Sequence, residues 1–196
     1  MVEFDRIREV LARQKKRLFV EKRLVSREIL KDILKFLDDK RIIIISGMRR
    51  VGKSTLLVEI MMRLRSEDKN YCYVNFEDEA FLDFEAKDFE KLNEILIEIY
   101  GSGNYYFFDE VQNIVNFESF VRRLQDDGKK IFLTGSNSSL LSKEFGTKLT
   151  GRYKLFELYP FSFKEFLVKN NMPLQADSKF TTEEKAQMKL FFANYI

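Results

Sequence analysis

Nine consecutive residues, Gly47 to Thr55, read G-M-R-R-V-G-K-S-T and fill every fixed position of the pattern G-x-x-x-x-G-K-[ST]. That spacing is a statement about backbone geometry. Gly47 and Gly52 let the chain turn tightly enough for successive N–H groups to point inward and form a concavity for an anion. Lys53 adds a point charge, Ser54 brings a hydroxyl for a divalent cation, and a helix starting there turns its positive dipole end toward the same anion. The flanks agree with this reading. Arg41 to Ile45 is R-I-I-I-I, a buried parallel strand, and Leu56, Leu57, Ile60, Met61 and Leu64 recur at helical spacing. Strand, glycine loop and helix in this order predict a nucleoside triphosphate site. Its nucleotide-binding residues are Gly47, Arg49, Arg50, Val51, Gly52, Lys53, Ser54 and Thr55, with Ser54 also on Mg²⁺; Arg49 and Arg50 either add positive potential at the loop or point to solvent or a partner's surface.

Composition narrows the chemistry further. At 196 residues and 45% apolar, the chain can bury one sizeable core. Histidine is absent, which excludes Ser–His–Asp and Cys–His catalysis and His-based zinc sites. A single cysteine, Cys72, rules out an internal disulfide and reads as a small core residue within Tyr71-Cys-Tyr-Val74. The net charge of +3 implies no polyanionic partner by itself, but residues 1–35 carry eleven Lys/Arg against six Asp/Glu, so the positive end is the N-terminus. No run is long enough to span a bilayer, and the N-terminus is too charged for a secretory signal; the cytoplasm is the expected location.

Alternating elements follow along the chain. Residues 4–17 form a basic amphipathic helix with Phe4, Ile7, Val10 and Leu11 on one face, read as a solvated helix edge. Ser26 is the expected N-cap of a second helix carrying Ile29, Leu30, Ile33, Leu34 and Leu37. After the loop helix come a strand at 70–75, an acidic stretch from Glu77 to Glu90 read as solvated, and a helix at about 86–100 that stops at Gly101-Ser-Gly103. Strands at 104–109, 130–134 and 153–158 follow, with a helix near 117–127 between the first two. Five strands alternating with helices predict an α/β fold, a doubly wound, mostly parallel sheet covered on both faces.

Functional groups in such a sheet sit at the carboxyl ends of its strands. The strand Tyr105-Tyr-Phe-Phe ends in Asp109-Glu110, some 55 residues beyond the loop. These adjacent carboxylates complete a triphosphatase site, Asp109 holding Mg²⁺ through its water shell and Glu110 polarising the attacking water. Ile131-Phe-Leu-Thr134-Gly runs into Ser136-Asn137, where either polar side chain can reach a γ-phosphate; Asn137 is preferred, because Ser136 and Ser138 serve equally well as caps of a helix at 138–145. Leu149-Thr-Gly-Arg152-Tyr precedes the last strand. Arg152 is either a solvated turn residue or an arginine finger reaching the γ-phosphate of an adjacent subunit.

The succession G-M-R-R-V-G-K-S-T, F-F-D-E, L-T-G-S-N, L-T-G-R-Y and L-Y-P-F-S-F-K-E-F over roughly residues 17–170 resembles the AAA-type (AAA+ superfamily) phosphate-loop ATPases of archaea and bacteria. The resemblance is to the branch with a paired Arg-Arg in the loop. It implies the strand order 5-1-4-3-2, ATP as nucleotide, Asn137 as sensor, Arg152 as finger and a homo-oligomer joined through the nucleotide interface. It also divides the chain into a basic amphipathic helix at 1–17, an ATPase core at 18–160 and the start of a helical lid or C-terminal region at 161–196. Thr181-Thr-Glu-Glu184 is a capping box, after which Met188, Phe191, Phe192 and Tyr195 build an apolar face that needs a cover; the expectation is that part of this region is missing.

The expected activity is Mg²⁺-dependent hydrolysis of ATP to ADP and phosphate, with Glu110, Asn137 and Arg152 as catalytic residues and Ser54 and Asp109 on the metal. The adenine is expected between Leu18–Leu24 and the lid. Two alternatives stay open: an ATP-controlled DNA-binding or replication-type switch, suggested by the basic N-terminal helix, and a small-molecule phosphotransferase, for which no acceptor pocket is marked.

Overall fold

The computed structural model describes residues 2–20, 24–136, 149, 151–172 and 181–195. Its centre is a five-stranded, all-parallel sheet: β1 (Ile42–Gly47), β2 (Tyr71–Asn75), β3 (Tyr105–Asp109), β4 (Lys130–Gly135) and β5 (Tyr153–Leu158). The strands lie in the order β2-β3-β4-β1-β5, which is the expected 5-1-4-3-2 read from the other edge.

Because a parallel sheet is covered on both faces, its strands are apolar at consecutive positions and sort their side chains by the period of two. Ile42, Ile44, Tyr106, Phe108, Ile131 and Leu133 face the layer made by α1 (Phe4–Arg17), α4 (Phe89–Tyr100) and α5 (Glu118–Asp126). On the other face Ile43, Ile45, Phe107, Phe132 and Phe156 pack on α2 (Leu30–Leu34) and α3 (Lys53–Arg65). Phe107 and Phe132 stack at 4.6 Å on neighbouring strands, an aromatic pair worth about 1 kcal/mol beyond its burial. Cys72 is buried in the first layer, and burial pushes its thiol up to about 12.

Three local expectations are corrected. The helix at 4–17 is no solvated edge: Ile7, Val10 and Leu11 are buried against β2 and α4, and Arg13 pairs with Asp78 at 2.8 Å while Arg8 pairs with Glu98. The acidic stretch is likewise only half a solvated loop. Two of its carboxylates, Asp78 and Glu79, pair with Arg13 and Arg6 of α1, and Phe81, Phe84 and Phe89 are buried with Phe76. Ser26 does not cap α2, which starts at Leu30 without a side-chain cap. Arg27 and Glu28 are bonded elsewhere instead, as described below, and the helix starts only after them.

Strand β1 runs on to Gly47, so the sheet hydrogen bonding reaches the glycine loop itself. Beyond β5 the chain forms α6 (Phe163–Lys169), opened by a capping box between Ser162 and Glu165. The apolar face of α7 (Thr182–Tyr195) packs on it: Phe192 meets Phe163 at 5.2 Å and Tyr195 meets Phe166 at 5.5 Å. Among the described residues no helix is long and apolar enough to cross a membrane.

Candidate functional site

The glycine loop leaves the carboxyl end of β1 and becomes α3 at Lys53. A Cβ at Gly47 would lie 2.5 Å from the Leu158 carbonyl oxygen of β5, so only glycine fits the entrance. Gly52 takes φ +101°, the left-handed region glycine enters at no cost. Arg50, at φ 64°, shares that region without glycine's freedom. The Arg50 side chain is exposed, as is that of Arg49, whose guanidinium lies 3.4 Å from Glu77 beyond β2. Val51 packs on the core beside α3, and Thr55 is exposed at the first turn of that helix.

Lys53 is buried inside the loop. Its Nζ donates to the carbonyls of Gly47 and Met48, each at 3.2 Å, and lies 3.3 Å from Glu110 Oε1. Glu110 follows the last residue of β3 in a left-handed conformation, φ 53° and ψ 44°, which stores about 1 kcal/mol or more of strain at a non-glycine residue. Its side chain also accepts from Gln112 Nε2 at 2.6 Å.

Asp109, fully buried, accepts hydrogen bonds from Tyr73 at 3.0 Å and from Thr134, and the Ser54 hydroxyl joins these two in stabilising its charge. Burial pushes its carboxyl up, while those three hydroxyls pull in the opposite direction. The Tyr73 phenol is driven well above its ordinary value by burial, then by the charge of Asp109. Thr134 does double duty, because its oxygen also accepts the Glu110 backbone N–H at 3.0 Å. One hydroxyl at the end of β4 thereby fixes the carboxylate of Asp109 and the strained turn of Glu110.

A buried carboxyl surrounded by hydroxyls is a donor set that suits a hard divalent ion; Ser54 and Asp109 fit Mg²⁺ in ligand type. Of the residues named from sequence, Arg152 stands apart from this cluster. Asn137 lies outside the described residues. Arg152 sits just before β5, where Ile42 pairs with Tyr153, whereas the loop is level with Leu158. Five residues of strand, about 16 Å, separate the two ends. Its guanidinium is half-exposed and pairs with Asp126 at 2.6 Å.

Sequence reading missed Thr134, Tyr73, Gln112 and Arg27. Thr134 carried a usable signal, since Phe108 pairs with Leu133 and the next residue must lie beside Asp109. Arg27 carried none. Its side chain is buried and donates from Nη1 to the Val51 carbonyl at 3.0 Å and from Nη2 to the Tyr159 carbonyl at 2.6 Å. A cavity of about 930 Å³ opens beside Ser54 and Thr55. Leu18, Phe19 and Leu24 line one wall, in the segment expected to meet adenine, but the facing wall is Val58 and Met62 of α3 and Asn75 of β2 rather than α6 or α7.

A parallel sheet of this order, with a phosphate loop after its first strand and an acidic pair after its third, defines a phosphate-loop ATPase fold of the AAA+ type. The chain belongs to the AAA_14 family, described as an AAA domain, whose model matches residues 39–167. An uncharacterised protein of Methanocaldococcus jannaschii is 39% identical over 189 residues, covering 93% of this chain and 42% of its own length. An uncharacterised protein of Haemophilus influenzae is 35% identical over 175 residues, 85% of this chain and 44% of that protein. The chain thus spans less than half the length of these relatives. Among solved structures, the Saccharomyces cerevisiae Hsp104–ADP complex aligns with TM-score 0.61 at 16% identity, over 83% of this chain and 26% of that one. The replication initiator DnaA bound to AMPPCP and single-stranded DNA aligns with TM-score 0.53 at 20% identity, over 93% and 65%. Likeness at these identities concerns the fold alone.

Proposed function

We propose that this chain binds ATP in the Gly47–Thr55 loop and hydrolyses it to ADP and phosphate, with the site completed by Arg152 of an adjacent copy. The observation that carries the reading is the convergence of Lys53 and Ser54, from the start of α3, with Asp109 and Glu110, from the end of β3, at a single glycine loop.

In this reading Lys53 exchanges its present acceptors, two loop carbonyls and Glu110, for the β- and γ-phosphate oxygens. Glu110 is released in the same exchange and orients the attacking water, taking its proton as bond formation proceeds. Ser54 and Asp109 would hold Mg²⁺, which when bound would supply positive charge against the triphosphate. Asn137 senses the γ-phosphate. Arg152, about five strand residues from its own loop, serves the loop of a neighbouring copy in this reading, which makes the active species a homo-oligomer.

The DNA-switch alternative is supported by the fold shared with the DNA-bound DnaA, but the basic helix that suggested it spends Arg8 and Arg13 on Glu98 and Asp78. Salt-dependent DNA binding would favour that alternative. The ATPase reading is tested by calorimetric titration of Mg·ATP into wild-type and Lys53→Ala protein together with phosphate release. Wild type should bind and release phosphate to water; the variant should stay folded and lose affinity by a hundredfold or more, because a buried cation facing the triphosphate is worth about 3 kcal/mol. Equal affinities would sink the assignment of the loop.

A further inference from the structure

Arg27 joins three segments that are far apart in sequence. It lies between α1 and α2, is 7% exposed, and its guanidinium reaches the phosphate loop through the Val51 carbonyl and the exit of β5 through the Tyr159 carbonyl. Its Nε lies 3.1 Å from Glu165 Oε1 on α6 without the alignment of a hydrogen bond, so that contact is an ion pair. The Phe161 ring lies 4.7 Å from the guanidinium carbon. Glu165, 5% exposed, is itself held from two directions, accepting the Glu28 N–H at 2.7 Å and the Ser162 N–H at 2.9 Å.

The contact with Val51 matters because of what lies across the same peptide bond. The Val51 carbonyl and the Gly52 N–H share one plane and, in a trans peptide, point in opposite directions. Gly52 has no Cβ to restrict rotation of that plane, and its φ of +101° lies in a region that glycine enters freely and other residues rarely do. A bond to the carbonyl from outside therefore selects the direction of the amide, and amides of this loop are the anion donors of the site. A buried ion pair is a poor device for stability alone, since apolar residues of similar size do as well or better. A planar fork that binds the loop, the β5 exit and α6 at once does something apolar residues cannot.

We propose that Arg27 is a positioning residue for the phosphate loop, and that through Glu165 it makes the loop's grip on a triphosphate depend on the placement of α6. The inference rests on the nucleotide reading above. Movement of α6 draws on Glu165, Glu165 draws on the guanidinium, and the Val51–Gly52 peptide turns with it. The C-terminal segment thereby gains a lever on nucleotide affinity at a distance from the phosphates.

The test separates positioning from scaffolding. The double variant Arg27→Met with Glu165→Leu replaces the pair by apolar side chains but takes their partners from the Glu28 and Ser162 N–H groups and the Val51 and Tyr159 carbonyls, so it is expected to melt cooperatively at a lower temperature than wild type. Calorimetric titration should show Mg·ATP bound about tenfold to a hundredfold more weakly, the scale for losing one oriented donor to a charged group, with kcat at saturation changed far less than KM. Arg27→Lys keeps the charge beside Glu165 but cannot span all three acceptors, and should weaken binding in the same direction. A folded double variant with wild-type affinity overturns the proposal. If the double variant fails to fold, Arg27→Lys decides in its place, and wild-type affinity there overturns the proposal equally. Wild-type protein that binds no ATP would instead overturn the nucleotide reading, and this inference with it.

Discussion

Lys53 and Glu110 form an ion pair inside the phosphate loop, with Nζ 3.3 Å from Oε1, so the group expected to hold phosphate neutralises the group expected to activate water. Binding a triphosphate must break this pair. Part of the binding energy is then spent on releasing Glu110, and the base becomes free only when there is something to hydrolyse.

Glu110→Gln follows from that relationship. The amide cannot accept a proton from water, so turnover should fall by roughly two orders of magnitude or more, the usual scale for a positioned base. ATP affinity should be equal to wild type or higher, because no ion pair remains to be broken. Single-turnover phosphate release and a titration on the same variant check both halves. Surviving turnover would put the base elsewhere.

Thr134→Val tests the hydroxyl that ties Asp109 to Glu110. The replacement keeps the shape and removes a donor to Asp109 and the acceptor for the Glu110 N–H. Leaving buried polar groups unpaired should cost about 1–3 kcal/mol of stability. Turnover should fall further than ATP affinity, since the strained Glu110 turn loses its support while Lys53 keeps its place. A chemical denaturation curve beside a kcat and KM measurement separates the two effects; unchanged kcat would show that the turn holds itself.

The strands and the loop were legible because their signals are local. Ile42–Ile45 and Tyr105–Phe108 are runs too apolar for anything but a sheet buried on both faces, and the glycine loop is fixed by its own spacing. Ser26 illustrates where local signals fail. A serine before an apolar periodic run is a good cap by propensity, yet Glu28 N–H is taken by Glu165, 137 residues away in sequence, and the helix starts later. The Arg27–Glu165 pair and the Tyr73–Asp109 bond are illegible for the same reason, since each joins residues whose neighbours in sequence say nothing of the partner.

Asp109 predicts a pH dependence for the metal-free protein. Burial raises its folded pKa above the ordinary value of 3.8, so the folded chain holds the proton more tightly than the unfolded one. The stability this contributes is fully present below the ordinary value and is lost as the pH rises through the raised one. Asp109→Asn cannot ionise and should remove that slope, leaving metal-free protein at least as stable as wild type at neutral pH while abolishing stabilisation by Mg²⁺ with nucleotide. Denaturation midpoints at several pH values with chelator present check the slope. A variant with the wild-type slope would assign the titration to another group.

Arg152 separates an assembling ATPase from a self-contained one. It lies about five strand residues from its own loop and pairs with Asp126, away from Lys53, Ser54, Asp109 and Glu110. A finger supplied by a neighbour is worth about 10³-fold or more in hydrolysis rate and nothing in monomer affinity. Arg152→Ala should therefore bind ATP as wild type does, and should lose any rate increase that appears as the protein concentration is raised. Mixing this variant with Lys53→Ala protein is the sharper measurement. The first keeps an intact loop, the second keeps the arginine, and a mixed interface re-forms one competent site. Activity of the mixture above that of either variant alone is the expected result. If the subunits associate, as seen by sedimentation, and the mixture stays inactive, Arg152 is a turn residue paired with Asp126 and the site takes its last charge from elsewhere.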